Sequence, residues 1–184
     1  LSDFDGSVVN ANYIDLTVAG ASTPIEALVV GSEIWVSDQV ADKLMRFSLD
    51  GTTYLGDVTG GMDNIRGIAL VNGEVWVSNA GATGGAPGTA IVRFSMAGAP
   101  LGFFATGDPF DVVNFQGDVL TADIVGDDIH RYTNAGVFVS TFHFSDGVTG
   151  IDFPEQLCVR ASGNVLAGGF AAPERQLRAE LMGE

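Results

Sequence analysis

The stretch Ile34-Trp35-Val36-Ser37-Asp38 returns as Val75-Trp76-Val77-Ser78-Asn79, and more loosely as Val119-Leu120-Thr121-Ala122-Asp123 and Val165-Leu166-Ala167-Gly168-Gly169. The intervals Trp35 to Trp76, Trp76 to Leu120 and Leu120 to Leu166 are 41, 44 and 46 residues. Self-similarity at such a period means that one supersecondary unit is copied, and that each copy buries its apolar face against the next. A second marker follows the first three copies: Arg46-Phe47-Ser48, Arg93-Phe94-Ser95 and Arg131-Tyr132-Thr133. It comes 11, 17 and 11 residues after the first marker, and the extra six of the second copy fall in Ala80 to Gly88, where a loop absorbs an insertion at little cost.

Within a unit the pattern is that of four short strands. Ile68 to Val71 meets Asn72-Gly73 and then Glu74 to Ser78, and Asn-Gly is a strong hairpin signal because both residues tolerate positive φ. Leu44 to Leu49 alternates and turns at Asp50-Gly51 into Tyr54 to Val58. Four-stranded units of this length predict the blades of a β-propeller, an all-β fold. Three complete blades are expected over 23–62, 63–107 and 108–150, with half-blades over 1–22 (outer strands at Leu1–Phe4 and about Val8–Val18) and 151–172. The tail 173–184 carries the one helix-like pattern, from Pro173 to Leu181. Two closures stay open. The half-blades complete one another as a four-bladed ring, or the chain is a fragment of a longer, six-bladed propeller whose open blade edges favour self-association.

Charge narrows the partners. With 23 acidic and 8 basic residues the net charge is -15, which excludes nucleic acid and an anionic membrane surface and favours cations or cationic surfaces. No apolar run is long enough for a spanning helix. The low lysine content and Gly-rich acidic composition point to an extracellular, periplasmic or cell-surface setting. Cys158 is the single cysteine, which leaves no internal disulfide, and its setting in Leu157-Cys158-Val159 predicts a small buried strand residue. The chain has no G-x-S-x-G elbow, and the glycine-rich 84–88 lacks the Lys-Ser/Thr of a phosphate loop.

The segment Ile65 to Asn79, with its Gly-Ile-Ala, Asn-Gly and Trp-Val-Ser spacing, resembles the inner hairpin of NHL, streptogramin-lyase and gluconolactonase/regucalcin propellers. The resemblance extends over roughly residues 1 to 170. It implies a common face on which the link into each innermost strand and the link from second to third strand converge. Nine residues before the marker stand Glu26, Gly67 and Asp111, and three after it stand Asp38, Asn79 and Asp123; Asp63, Asn64, Arg66, Asp108 and Asp152 lie close by. Such oxygen donors suit Ca2+ or Mg2+, though Asp and Asn at strand ends also cap turns. Gluconolactonase-like enzymes hold one divalent ion with a Glu, an Asn and an Asp, for which the resemblance offers Glu26, Asn64 and Asp111 or Asp152. His130 and His143 fall in strands, and Trp35 and Trp76 read as core. The expectation is a secreted or surface-associated binding or structural module for a small molecule or protein, with a metal-dependent hydrolase or lactonase as the alternative.

Overall fold

In a computed structural model of the chain, the described residues are 8, 10–145, 151–169 and 179–181. They form four antiparallel sheets, three of four strands and one of three, each built in simple meander order. The first comprises β1 (Pro24–Val30), β2 (Glu33–Asp38), β3 (Lys43–Ser48) and β4 (Tyr54–Thr59). The second comprises β5 (Ile65–Val71), β6 (Glu74–Asn79), β7 (Ala90–Ser95) and β8 (Pro100–Ala105). The third comprises β9 (Pro109–Phe115), β10 (Asp118–Asp123), β11 (Asp128–Thr133) and β12 (Phe138–Phe144). The last holds β13 (Pro154–Val159), β14 (Val165–Gly169) and β15 (Ala179–Leu181). Inner strand packs on inner strand in the run β1, β5, β9, β13, and the same packing is not found between β13 and β1 among the described residues. The architecture is that of consecutive propeller blades.

The two sequence markers have physical roles. Trp35, Trp76 and Leu120 are fully buried on the side of each blade that meets the following one, which is why a large apolar residue recurs there. The arginine locks the same hairpin from outside: Arg46 grips Glu33 through Nε and Nη2, both at 2.8 Å, and lies over the Trp35 ring at 5.4 Å. Arg93 repeats this with Glu74 and Trp76, and Arg131 does so through one bond to Asp118 (2.7 Å) and the ring of Phe115. At the hairpin turn, Asn72 and Gly73 take φ of 49° and 79°, the left-handed pair that this tight turn requires.

Three expectations need correction. The segment expected to form an outer strand up to Val18 instead makes a 3-10 turn at Leu16–Ala19, with Asp15 accepting the Thr17 N–H and Gly20 closing the end; Leu1–Phe4 lies outside the described residues. Ile14, Leu16, Ala19 and Ala21 pack on Ile34, Val36, Met45 and Phe47, the face whose counterpart in blade 2 (Val75, Val77, Val92, Phe94) packs on blade 1. The segment therefore covers the face of blade 1 on which a preceding blade would pack, and among the described residues the third strand of the last sheet is β15, not the N-terminal strand that a four-bladed ring calls for. Residues 179–181 pair with the open edge of β14 in place of the expected helix, while 173–178 lie outside the described residues. Cys158 is in a strand as expected but exposed, because its neighbour Leu157 takes the inward face.

Candidate functional site: the loop-end face

Asp38, Asn79 and Asp123 end the second strand of successive blades, and each works as a clamp. The Asp38 carboxylate accepts N–H bonds from Ser22 (2.6 Å), Thr23 (3.0 Å), Val40 (3.2 Å) and Ala41 (2.9 Å). Burial opposes its charge, yet these four amides prevail and hold the carboxyl below its usual pKa. Asp123 Oδ1 accepts from Asp108, Val125 and Gly126 at 3.0–3.1 Å. Asn79 accepts from the Asp63 N–H (2.7 Å) and donates to the carbonyls of Gly81 and Gly88. In each case one side chain ties the link into the inner strand to the following turn. Asp63 secures the longer loop of blade 2 by accepting the Thr83 N–H and hydroxyl, both at 2.7 Å.

Glu26, Gly67 and Asp111 occupy equivalent positions on the innermost strands. Pairing with the second strand slips between Pro24 and Ala27, and again between Ile65 and Ile68, so Glu26 and Gly67 lie in bulges that re-aim their side-chain positions. Glu26 Oε2 accepts the Ile68 N–H of the next blade (2.9 Å), and Asp111 Oδ2 accepts the Leu157 N–H of the one after (2.7 Å). Both carboxylates flank Gly67, where an added Cβ would stand 2.6 Å from Asp111 Oδ1. Burial first, and the facing Glu26 charge second, push the Asp111 carboxyl up to about 7, against the pull of the Leu157 and Val112 amides; burial also raises Glu26.

The remaining expected ligands are engaged elsewhere. The Asn64 side-chain carbonyl accepts from Gln39 Nε2 (2.7 Å), and Asp152 accepts from the Ser145 hydroxyl (3.1 Å). Glu26, Asp111 and Asp152 form no three-carboxylate group among the described residues, and Glu26 and Asp111 each accept a backbone amide of the following blade. Arg66, buried, bonds Asp108 (3.1 Å) and the Pro109 carbonyl and lies over the Phe110 ring. It borders an open cleft of about 480 Å3 between blades 2 and 3, which Asn64, Thr89, Asp108, Asp123 and Val125 also line.

The one three-donor group that the described residues form is Asp123, Asp128 and His130, whose ligand atoms all lie within 4.8 Å of one another. His130 Nε2 stands 3.2 Å from Asp128 Oδ1 without the alignment of a hydrogen bond. Burial pushes the Asp128 carboxyl up, His130 draws it down and Asp123 adds to the rise. His130 is a strand residue as the pattern implied, but marker alignment of strand ends alone could not find this group. Its signal is one strand deeper: seven residues past the clamp in blade 1 stands Met45, and in blade 3 His130.

No protein-family model matches the chain, and no curated protein matches it. Solved structures do. A catalytically inactive virginiamycin B lyase from Staphylococcus aureus, with quinupristin, superposes at a TM-score of 0.60 and 16% identity, over 79% of this chain and 48% of the other. A putative gluconolactonase gives 0.65 and 15%, over 79% and 57%. A nidogen/laminin complex gives 0.63 and 16%, over 81% and 56%. At these identities the likeness establishes the fold: the chain is a stretch of β-propeller, and it spans about half the length of the solved structures it matches.

Proposed function

We propose that the chain is the ligand-binding part of a secreted or surface-associated β-propeller, which takes a cationic small molecule or protein segment in the cleft between blades 2 and 3. The observation that carries this reading is the use of the loop-end carboxylates. Asp38, Asp63 and Asp123 are clamps that make the face rigid, and a rigid face with an open cleft and an acidic surround is suited to recognition. The hydrolase alternative has no comparable support, since Asn64 is turned to Gln39 and both oxygens of buried Asp111 accept backbone N–H groups.

A fluorescent hexalysine peptide tests it, with hexaglutamate as the opposite probe. The lysine peptide should bind with an affinity that falls as salt rises, and Val125→Trp or Thr89→Arg, which fill or recharge the cleft, should weaken it roughly tenfold or more. Val137→Trp, far from the cleft, is the control. Equal binding of both peptides, or indifference to the cleft substitutions, overturns the reading, as does turnover of a simple lactone.

A further inference from the structure

Blade 3 departs from its predecessors at two cross-strand pairs. In blade 1 these pairs are Asp38 with Lys43 and Val36 with Met45; in blade 2 they are Asn79 with Ala90 and Val77 with Val92. Val36, Met45, Val77 and Val92 are all buried, on the face turned to whatever precedes the blade. In blade 3 the same register sets Asp123 opposite Asp128 and Thr121 opposite His130. Side chains alternate along a strand, so all four share that one face. Opposed carboxylates destabilise a sheet, and a hydroxyl with an imidazole gives up the apolar contact that the other blades make there.

Among the described residues the compensation is partial, with His130 Nε2 3.2 Å from Asp128 Oδ1. Thr121 is fully buried, directly across from His130, and its Oγ1 has no hydrogen-bond partner; buried Asp128 Oδ1 and His130 Nδ1 have none either. Buried polar atoms are paired almost without exception, so three in one patch mark a place for something else to bind. Glycines wall the cluster where any side chain would crowd its carboxylates. A Cβ at Gly126 would stand 3.0 Å from Asp128 Oδ1 and 3.1 Å from Asp123 Oδ2, and one at Gly107 would collide with the Asp123 carboxylate.

We infer that blade 3 holds one first-row divalent transition ion, such as Zn2+, between Asp123, Asp128 and His130, with the Thr121 hydroxyl beside it. An imidazole nitrogen with two carboxylates suits Zn2+, Mn2+ or Co2+ better than Ca2+, which prefers oxygen alone. The ion neutralises the opposed carboxylates and gives the unpaired atoms a partner. The site borders the cleft through Asp123 but does not depend on the ligand reading above, because ion binding is measured with no organic ligand present.

Calorimetric titration with Zn2+ and visible absorption with Co2+ test it on the whole chain. One ion per chain should bind, the melting midpoint should rise as it does for any ligand of the native state, and Ca2+ should bind at least roughly tenfold more weakly. Thr121→Val with His130→Val rebuilds the blade 2 pattern and should fold while losing the Co2+ bands; Asp128→Asn, which keeps the shape, should weaken Zn2+ roughly tenfold or more. His143→Gln should change nothing. Absence of Zn2+ binding, its persistence in either variant, equal binding of Ca2+, or a signal that moves with His143 overturns the inference.

Discussion

Blades 2 and 3 share a frame and differ in what they hang on it. Both have the arginine over an aromatic ring, the buried marker residue and the clamp at the end of the second strand. Yet the pair that faces the preceding blade is Val77 with Val92 in one and Thr121 with His130 in the other, and the bulge residue Gly67 gives way to Asp111. The frame positions bond backbone or fill core, so every copy must supply them. At the Thr121 and His130 pair the blade gives up an apolar contact that its predecessor makes, and the unpaired polar atoms of blade 3 collect beside it.

The comparison can be broken first at the frame. Trp76→Ala should cost about 3–5 kcal/mol, and Leu120→Ala in blade 3 about 2–5, in urea unfolding; a negligible loss at either would mean that the marker does not anchor its blade. Next comes Asp111, which blade 2 lacks. Its folded pKa of about 7 lies above the unfolded value of about 3.9, so the folded state favours the protonated form. The group imposes no penalty below about pH 4; the penalty then grows and is complete above about pH 7, where it reaches about 4 kcal/mol. Stability measured from pH 4 to 7 should therefore fall more steeply in the natural chain than in Asp111→Asn, and parallel curves would contradict the assignment.

In metal-free protein the double change Thr121→Val with His130→Val should raise stability by about 1–3 kcal/mol, by removing unpaired buried groups. A loss of that size would show those atoms to be satisfied. The smallest difference concerns the arginines, all partly exposed. Arg93→Ala should cost about 0.5–1 kcal/mol and Arg131→Ala less, since Arg93 grips Glu74 by two nitrogens and Arg131 grips Asp118 by one.

The blades were legible because their markers are large or charged residues at fixed spacing, with turn residues between. The clamps were legible as positions but ambiguous in role, since an Asp at a strand end reads equally as ligand and as cap; only the four amides on Asp38 decide it. The N-terminal segment departs from the strand pattern because Ile14, Leu16, Ala19 and Ala21 answer to the apolar face of blade 1 that they cover, a tertiary demand with no local period. His130 was hidden for the opposite reason: it sits where a strand residue belongs, and only comparison with Met45 and Val92 makes it foreign.

The missing side chain at Gly67 has a mechanical consequence. Glu26 sews the first sheet to the second through an amide, and Asp111 sews the third to the fourth, but at the middle seam the equivalent position is Gly67 and offers no carboxylate. Arg66 bridges that seam through Asp108 and the Pro109 carbonyl. The middle junction thus leans on a guanidinium, with the Asn114 amide bonded to the Leu70 carbonyl beside it, where its neighbours lean on a carboxylate that accepts an amide. Because Arg66 is buried, salt reaches this charged tie little, and it holds the seam without the bulge carboxylate.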